Sequence, residues 1–185
     1  MKSKTILITG EEGCGKTHLM RNFIMKTFLT YKYIFYFEAG NKESTIAQHR
    51  AFVNGLSHDQ VLIENPDFGS LELSLGKREK TLIHTTIDKD YDFTGLTELA
   101  KRDDNYFYNS CGIIIDMNET PARLKDLKKL TCSFALTIRN LEQLQKAGIT
   151  TNAVFALFDT IYLKNTAQYE FTKLDIMHDF RIQDR

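Results

Sequence analysis

The sequence predicts a three-layer α/β/α fold built around a mostly parallel central sheet. Strand-like and helix-like segments alternate along most of the 185 residues, a pattern typical of parallel sheets covered by helices on both faces. The stretch "GIII" at residues 112–115 is apolar at successive positions, as expected for a strand buried in the middle of such a sheet. A third observation is the stretch "GEEGCGKT" at residues 10–17, which places three glycines between the first strand and the first helix.

Hydrophobic periodicity defines the elements of the first half of the chain. Continuous apolar runs predict strands, and apolar residues spaced three and four apart predict amphipathic helices. The expected strands are 5–9, 33–37 and 80–88, and the expected helices are 16–28, 44–53 and 93–102. Residues 41–80 are mostly polar, and we interpret them as an insertion-like segment.

Capping residues define the elements of the second half. Thr120 and Pro121 are typical of the first positions of a helix. Asn140, with Gln143 three residues later, forms a capping pattern ahead of a helix that Gly148 ends. The expected strands are 111–118, 132–138 and 158–163, and the expected helices are 120–130 and 140–148.

Composition and charge favour a single domain over residues 1–185, with 166–185 as a C-terminal tail, because a chain of this length can bury about 70% of its unfolded surface. The 24 Lys and Arg residues balance the 24 Asp and Glu residues, so any contact with a polyanion must be local or shared among subunits. The apolar run near the N-terminus is too short for a signal peptide or a membrane span, so we expect a cytoplasmic protein with no transmembrane segment. Cys14, Cys111 and Cys132 lack the spacing of zinc ligands or of a disulfide framework, and we expect reduced thiols.

Residues 10–17 match the phosphate-binding pattern G-x-x-x-x-G-K-[ST], and they follow a strand and begin a helix, as this pattern requires. Glycines allow successive backbone N–H groups to face phosphate oxygens, and the helix N-terminus adds partial positive charge. We expect Lys16 to reach the β- and γ-phosphates of ATP and the Thr17 hydroxyl to ligate Mg²⁺. The side chains of Glu11 and Glu12 are expected to point away from the phosphates. The predicted nucleotide-binding residues of this stretch are Gly10, Glu12, Gly13, Cys14, Gly15, Lys16, Thr17 and His18.

A carboxylate at the end of another strand is needed to hold the metal, and Asp116 after "GIII" fits this role best. Hydrolysis also needs a carboxylate that orients the attacking water. Met117 stands directly after Asp116, where a glutamate is frequent, so two candidates remain open. We favour Glu119 over Glu38, which ends the second strand.

A cation that stabilises the charge of the transition state can act in cis or from a neighbouring subunit. Two arginines are candidates for this role. Arg123 lies on the helix after Asp116, and Arg139 directly follows the strand "SFALTI", at the edge where the γ-phosphate would lie.

The stretches "GEEGCGKT", "GIIID" and "ALTIRN", in this order, resemble the additional-strand P-loop ATPases. Together with the long segment before the third strand and the final stretch "AGITTNAVFALFDTIYL", they make the chain similar to the FtsK–HerA superfamily. The similarity is greatest to the genome-packaging ATPases of poxviruses and tailless membrane-containing phages. It implies that Thr137 lies at the sensor position and that Asn152 precedes the last apolar strand.

The resemblance also implies an activity and partners. The implied activity is ATP-driven translocation of double-stranded DNA into a viral capsid by a homo-oligomer, with a hexameric ring as the expected form. A capsid or capsid-membrane protein would be a further partner, and the protein would lie in the host cytoplasm or in the virion. The basic residues that could face DNA are Lys77, Arg78, Lys80, Lys128 and Lys129.

Three other functions remain open. "GCGKTHL" followed by "YIFYFEA" is also similar to replication ATPases of the DnaA and DnaC type, although the chain is short for their helical lid. A nucleoside or nucleotide kinase would use the same loop with an arginine-rich lid, for which "GKREK" and "RLKDLKK" are the candidates. A slowly hydrolysing nucleotide switch is the third alternative.

Overall fold

The computed structural model has one mixed sheet with helices packed on it. It describes residues 4–23, 27–39, 47, 51–52, 55–56, 59–64, 81–88, 91–102, 111–117, 132–146, 149–164 and 171–175. The strands are β1 (Thr5–Thr9), β2 (Tyr33–Ala39), β3 (Asp59–Glu64), β4 (Thr81–Thr86), β5 (Cys111–Met117), β6 (Ser133–Ile138), β7 (Thr160–Lys164) and β8 (Phe171–Asp175). The helices whose bounds lie within the described residues are α1 (Lys16–Phe23), α2 (Thr94–Arg102), α3 (Leu141–Lys146) and α4 (Thr151–Leu157).

Strand order confirms the predicted mostly parallel sheet. The described strands form one eight-stranded sheet in the order β3-β4-β2-β5-β6-β1-β7-β8. Neighbouring strands are parallel throughout except for β7 and β8, which are antiparallel. Because β6 lies between β1 and β5, an additional strand separates the strand that leads into the glycine-rich loop from the strand that carries Asp116.

Each face of the sheet buries its own apolar cluster. On one face, Tyr36 of β2 and Ile114 of β5 belong to a cluster that also contains Met20 of α1. The cluster on the opposite face contains Leu96 of α2 and Leu144 of α3. Since side chains alternate between the two faces of a strand, one strand supplies both clusters. Helices therefore cover both faces, and the three-layer prediction is confirmed.

The centre of the sheet is packed tightly around β5. Its residues Ile113, Ile114 and Ile115 are completely buried, as the apolar run predicts. The preceding residue, Gly112, lies directly beneath two aromatic rings. A Cβ atom at this position would collide with the ring of Phe28 and would lie 2.9 Å from Cδ2 of Tyr31. The glycine therefore makes room for aromatic residues from the segment between α1 and β2.

Several predicted bounds differ from the structure. Strand β2 continues to Ala39, beyond the predicted end at residue 37. Helix α1 is described only to Phe23, and residues 24–26 of the predicted helix lie outside the described residues. The described part of the predicted 44–53 helix, residues 47 and 51–52, is helical.

Two strands were not predicted. Strand β3 lies within the segment 41–80 and pairs in parallel with β4, so this segment contributes to the sheet. Its apolar run is only three residues long, Val61 to Ile63, which made the strand hard to detect. Strand β8 lies within the predicted tail 166–185 and pairs with β7 at the edge of the sheet.

Asn152 precedes the predicted strand "FDTIYL", as expected, and a helix separates the two. Asn152 lies in the first turn of α4, and two strands, β7 and β8, follow that helix. The helix begins there because the Thr150 hydroxyl caps it, accepting a hydrogen bond from the Ala153 N–H at 3.2 Å. Val154 is buried on the side of the helix that faces the core. The "TTNAV" stretch carried this capping signal.

The cysteines are reduced, as the sequence predicts. All three cysteines are free thiols, and burial raises the pKa of Cys132 to about 12 and that of Cys111 still higher. Cys111 and Cys132 therefore act as small hydrophobic residues of the core.

In the part of the chain that the structure describes, no helix has both the length and the apolar character needed to cross a membrane.

We predict that Gly112→Ala destabilises the fold by about 2 kcal/mol, because the added methyl group must displace the rings of Phe28 and Tyr31. Urea denaturation followed by circular dichroism measures this change. Gly55→Ala is the matched control, since the nearest atom to its Cβ is a backbone oxygen of Phe52 at 3.4 Å. Equal unfolding midpoints for the two variants would contradict the packing assignment.

Candidate nucleotide-binding site

The loop between β1 and α1 has a shape that depends on its glycines. Gly13 and Gly15 have φ angles of 78° and 96°, in the left-handed region that residues with a Cβ atom rarely adopt. At Gly10 the constraint is space: a Cβ atom there would lie 2.5 Å from Sγ of Cys14 and 2.9 Å from Cβ of Lys164. The predicted glycine positions are therefore those that the backbone of this loop requires.

The loop is fixed to the added strand β6 by its backbone. The Gly10 N–H donates to the carbonyl oxygens of Arg139 at 3.0 Å and Ile138 at 3.3 Å. The loop also bonds to itself, since the Cys14 N–H donates to the Glu11 carbonyl at 3.3 Å. These bonds hold the start of the loop against the end of β6.

Lys16 is the first residue of α1 and folds back over the loop. It is almost fully buried, and its Nζ donates to the carbonyl oxygens of Gly10 at 2.5 Å and Glu11 at 3.0 Å. The N–H groups of the first helical turn point toward the same loop, where they favour a bound anion. The ammonium group and the helix N-terminus therefore bring positive charge to the concave side of the loop.

Hydroxyl groups from three other elements donate hydrogen bonds to Asp116. Its Oδ1 accepts a hydrogen bond from the Thr137 hydroxyl at 2.5 Å. Its Oδ2 accepts from Thr17 of α1 and from Tyr36 of β2, each at 3.3 Å. The carboxylate is only 3% exposed. This arrangement follows from the register of the sheet, which pairs Asp116 with Thr137 on one side and with Glu38 on the other.

Tyr36 is a site residue that the sequence alone did not indicate. Burial, and then the nearby charge of Asp116, raise the pKa of Tyr36 well above its usual value, so the phenol stays protonated and donates its hydrogen bond. Its position in the sequence could have indicated this role, because Tyr36 lies two residues before Glu38 and the two side chains therefore lie on the same face of β2.

Glu38 forms a buried pair with His84 of β4. The Glu38 Oε1 and His84 Nε2 atoms are 3.3 Å apart, and the two side chains are 0% and 3% exposed. The ring of His84 also packs edge-on against Tyr36, with centroids 5.1 Å apart. His84 is therefore a strand residue with a buried polar partner. Glu38 lies beside Asp116 but is enclosed.

Arg139 lies at the mouth of the loop and binds Glu11. Its Nε donates to the Glu11 Oε2 at 2.5 Å, and the two side chains are 51% and 59% exposed. The hydrogen bond from Arg139 is the main cause that lowers the pKa of Glu11, and the same bond raises the pKa of Arg139. Both groups are therefore charged at neutral pH. Glu11 points toward β6 rather than into the concave side of the loop.

The remaining predicted residues fall into two groups. Glu12 in the loop and His18 in the first turn of α1 are exposed, while Cys14 in the loop is partly buried. Glu119 and Arg123 lie outside the described residues, as do the basic residues Lys77, Arg78, Lys80, Lys128 and Lys129.

The oxygen atoms of Thr17 and Asp116 form a donor set that suits Mg²⁺. A hydroxyl and a carboxylate are hard oxygen ligands, and Mg²⁺ takes few protein ligands because it keeps water and phosphate oxygens in its shell. The 3.3 Å separation of the two atoms brings them to one point beside the N-terminus of α1. The residues present fit this ion.

Comparison with known proteins supports the fold. No protein-family model matches the sequence, and no curated protein matches it. The structure is similar to the genome packaging NTPase B204 from Sulfolobus turreted icosahedral virus 2 in its complex with AMP, with a TM-score of 0.52 and 11% identity over 95% of this chain and 94% of that chain. The chain shares its fold with a packaging NTPase. The sulfate complex of B204 also matches, with a TM-score of 0.49 and 12% identity over 91% of this chain and 76% of B204. At these identities the likeness shows the fold, and the predicted resemblance is confirmed at that level.

We predict that His84→Leu destabilises the protein by about 3 kcal/mol, because it removes a hydrogen-bonding partner from a carboxylate that is completely buried. Urea denaturation measures the loss. The matched background is Glu38→Gln, in which the buried group is neutral and a missing partner costs less. An equal cost of His84→Leu in the two backgrounds would show that His84 stabilises the fold through its ring packing alone.

Proposed function

We propose that the chain is a Mg²⁺-dependent ATPase that acts as a homo-oligomeric motor on double-stranded DNA. The contact between the Thr17 hydroxyl and the Asp116 carboxylate carries the ATPase proposal. It joins two residues that are far apart in the sequence, directly beside a phosphate-binding loop and a helix N-terminus. These are the two protein ligands that hold Mg²⁺ next to the phosphates of a nucleotide in this class of site.

Lys16 would exchange partners when ATP binds. Its ammonium now binds neutral carbonyl oxygens of its own loop, Gly10 and Glu11. A charged phosphate oxygen forms a hydrogen bond that is roughly twice as strong, so the β- and γ-phosphates can replace the carbonyls. Bound Mg²⁺ supplies neutralisation of the phosphate charge. The N–H groups of Gly13 and Gly15 complete the cradle.

Thr137 would act as the sensor of this site. It lies on β6, in register with Ile8 of β1 and with Asp116 of β5, and its hydroxyl orients the Asp116 carboxylate. A hydrogen bond from β6 to this carboxylate links the added strand to the metal position. We propose that loss of the γ-phosphate is communicated through this contact.

Burial favours Glu119 as the residue that orients the attacking water. The Glu38 carboxylate is completely enclosed and is held by His84, so it is poorly placed to receive water from the nucleotide side. Glu119 lies three residues after Asp116 in the sequence, beyond the end of β5 and so close in the chain to the carboxylate proposed to hold the metal. Glu38 would then have a structural role, as the buried partner of His84 beside Asp116.

The DNA-translocation part of the proposal is supported by the fold and by the charge. The fold is shared with B204, which is a genome packaging NTPase. The chain has no net charge, so a single subunit would bind DNA weakly, whereas a ring collects local basic residues from every subunit. We propose a hexameric ring that moves double-stranded DNA into a capsid, with a capsid or capsid-membrane protein as its docking partner.

We predict that the protein releases phosphate from ATP and that long duplex DNA increases this rate, with less stimulation at higher salt because counterion release weakens DNA binding.

Lys16→Ala should weaken ATP binding at least tenfold, since a charged hydrogen bond contributes about 1.5–3 kcal/mol. Calorimetry measures the ATP affinity, and steady-state phosphate release measures the hydrolysis rate with and without DNA. Unchanged ATP affinity in Lys16→Ala would contradict the ATPase proposal, and hydrolysis that does not respond to DNA would contradict the motor. A nucleoside panel would then test the kinase alternative.

We predict that Glu119→Gln keeps ATP affinity within about twofold but lowers turnover by at least about 100-fold, as expected for the loss of a group that assists proton transfer. Glu38→Gln is the matched control and should retain most of the turnover. Single-turnover hydrolysis with a saturating enzyme concentration separates binding from chemistry. The opposite ranking of the two variants would assign the water-orienting role to Glu38.

A further inference from the structure

Glu11 is in contact with two cations beside the phosphate loop, Lys16 and Arg139. Its backbone carbonyl accepts a hydrogen bond from Lys16 Nζ at 3.0 Å, and its carboxylate accepts one from Arg139 Nε at 2.5 Å. The register of neighbouring strands creates this arrangement. Thr9 of β1 pairs with Ile138 of β6, so the two chains leave the sheet side by side and bring Glu11 next to Arg139.

The backbone of Arg139 is fixed while its side chain is accessible. The Arg139 carbonyl accepts a hydrogen bond from the Gly10 N–H, and the Arg139 N–H donates to the Gln143 side chain at 3.2 Å. Gln143 belongs to α3, whose N-terminus is capped by Asn140 at 3.1 Å. In contrast, the Arg139 side chain is 51% exposed. The guanidinium can therefore change partner without movement of β6 or α3.

We propose that Arg139 acts in cis on the γ-phosphate of the nucleotide bound to its own subunit, and that Glu11 is a positioning residue that holds the guanidinium at the mouth of the loop until this phosphate replaces it. This inference rests on the proposed ATPase function. A γ-phosphate offers more negative charge than one carboxylate and accepts the guanidinium fork through two parallel hydrogen bonds.

The electrostatics of the exposed pair suit an exchangeable contact. The pKa of Glu11 is lowered mainly by its hydrogen bond with Arg139, and the charge of Lys16 contributes less. Ion pairs between solvent-exposed groups are weak because water screens them, so a triphosphate can displace Glu11 at little cost. Glu12 acts on Arg139 through its charge, but the contribution of Glu11 is larger.

The test compares Glu11→Gln with Glu12→Gln. Both variants remove one negative charge from the same loop, but only the first removes the hydrogen-bonding partner of Arg139 described above. Calorimetry measures the affinity for ADP and for an ATP analogue with a methylene group between the β- and γ-phosphorus atoms. We expect Glu11→Gln to tighten binding of the triphosphate about two- to fivefold more than Glu12→Gln, the range set by exposed ion pairs. ADP should show no such excess.

The same comparison in an Arg139→Gln background identifies the cause. The excess effect of Glu11→Gln should vanish there, since no guanidinium remains to be released. Mixtures of Arg139→Gln and Lys16→Ala subunits should hydrolyse ATP no faster than the two variants measured separately, because action in cis requires both residues in one subunit. Equal effects of the two loop variants on triphosphate affinity, an excess that persists without Arg139, or hydrolysis restored in the mixed subunits would each overturn the inference, the last by assigning Arg139 to a neighbouring subunit.

The failure of the proposed function gives a different result. If wild-type protein binds neither nucleotide, or binds both with the affinity of Lys16→Ala, the ATPase proposal and this inference fail together. If binding depends on Lys16 but the two loop variants behave alike, only the role of Glu11 is rejected.

Discussion

The carboxylate of Asp116 is the point on which the arrangement of the site depends. Hydroxyl groups from α1, β2 and β6 donate to it, so one side chain at the end of β5 orients groups from three other elements. A carboxylate that is 3% exposed is stable only when its oxygen atoms are hydrogen-bonded. The cost of burying this charge therefore favours the one relative position of these elements in which the donors converge.

The parallel sheet explains why such convergence is available. Strands that run in the same direction end at the same edge, so their last residues are neighbours although they are far apart in the sequence. Glu38, Asp116 and Thr137 lie in register across β2, β5 and β6 at this edge. The His84–Glu38 pair lies next to them and fills the space toward β4 with a second buried polar contact. The edge therefore combines a packed interior with polar groups that face the phosphate loop.

Sequence patterns predicted the parts of this structure that are determined locally. The glycine positions of the loop, the buried run of β5 and the cap of α3 at Asn140 each depend on residues that are close in the chain, and each has the predicted form. Strands β3 and β8 were missed because each has few consecutive apolar residues and lies at an edge of the sheet, where neighbours rather than periodicity determine pairing.

The contacts that the sequence left undetermined join residues separated by long stretches of chain. Tyr36 reaches Asp116 across 80 positions, and Arg139 reaches Glu11 across 128. Such partners depend on strand order, which no local pattern specifies. Glu11 and Glu12 illustrate the difficulty, since the two residues are identical and adjacent, and the register of β1 with β6 makes Glu11 the one hydrogen-bonded to Arg139.

The absence of a side chain at Gly10 has a consequence for how the sequence can change over time. The space that a Cβ atom would need there is filled by Sγ of Cys14 and by Lys164 of β7. The stem of Lys164 lies against the loop, and its ammonium is 5.0 Å from the ring centroid of Phe171 in β8. Positions 10, 164 and 171 therefore form one steric unit, although they come from the beginning and the end of the chain. In descendants of this sequence, a larger residue at position 10 becomes tolerable only after positions 14 and 164 have both made room for it, so evolutionary drift of the outer strands is limited by the first turn of the phosphate loop.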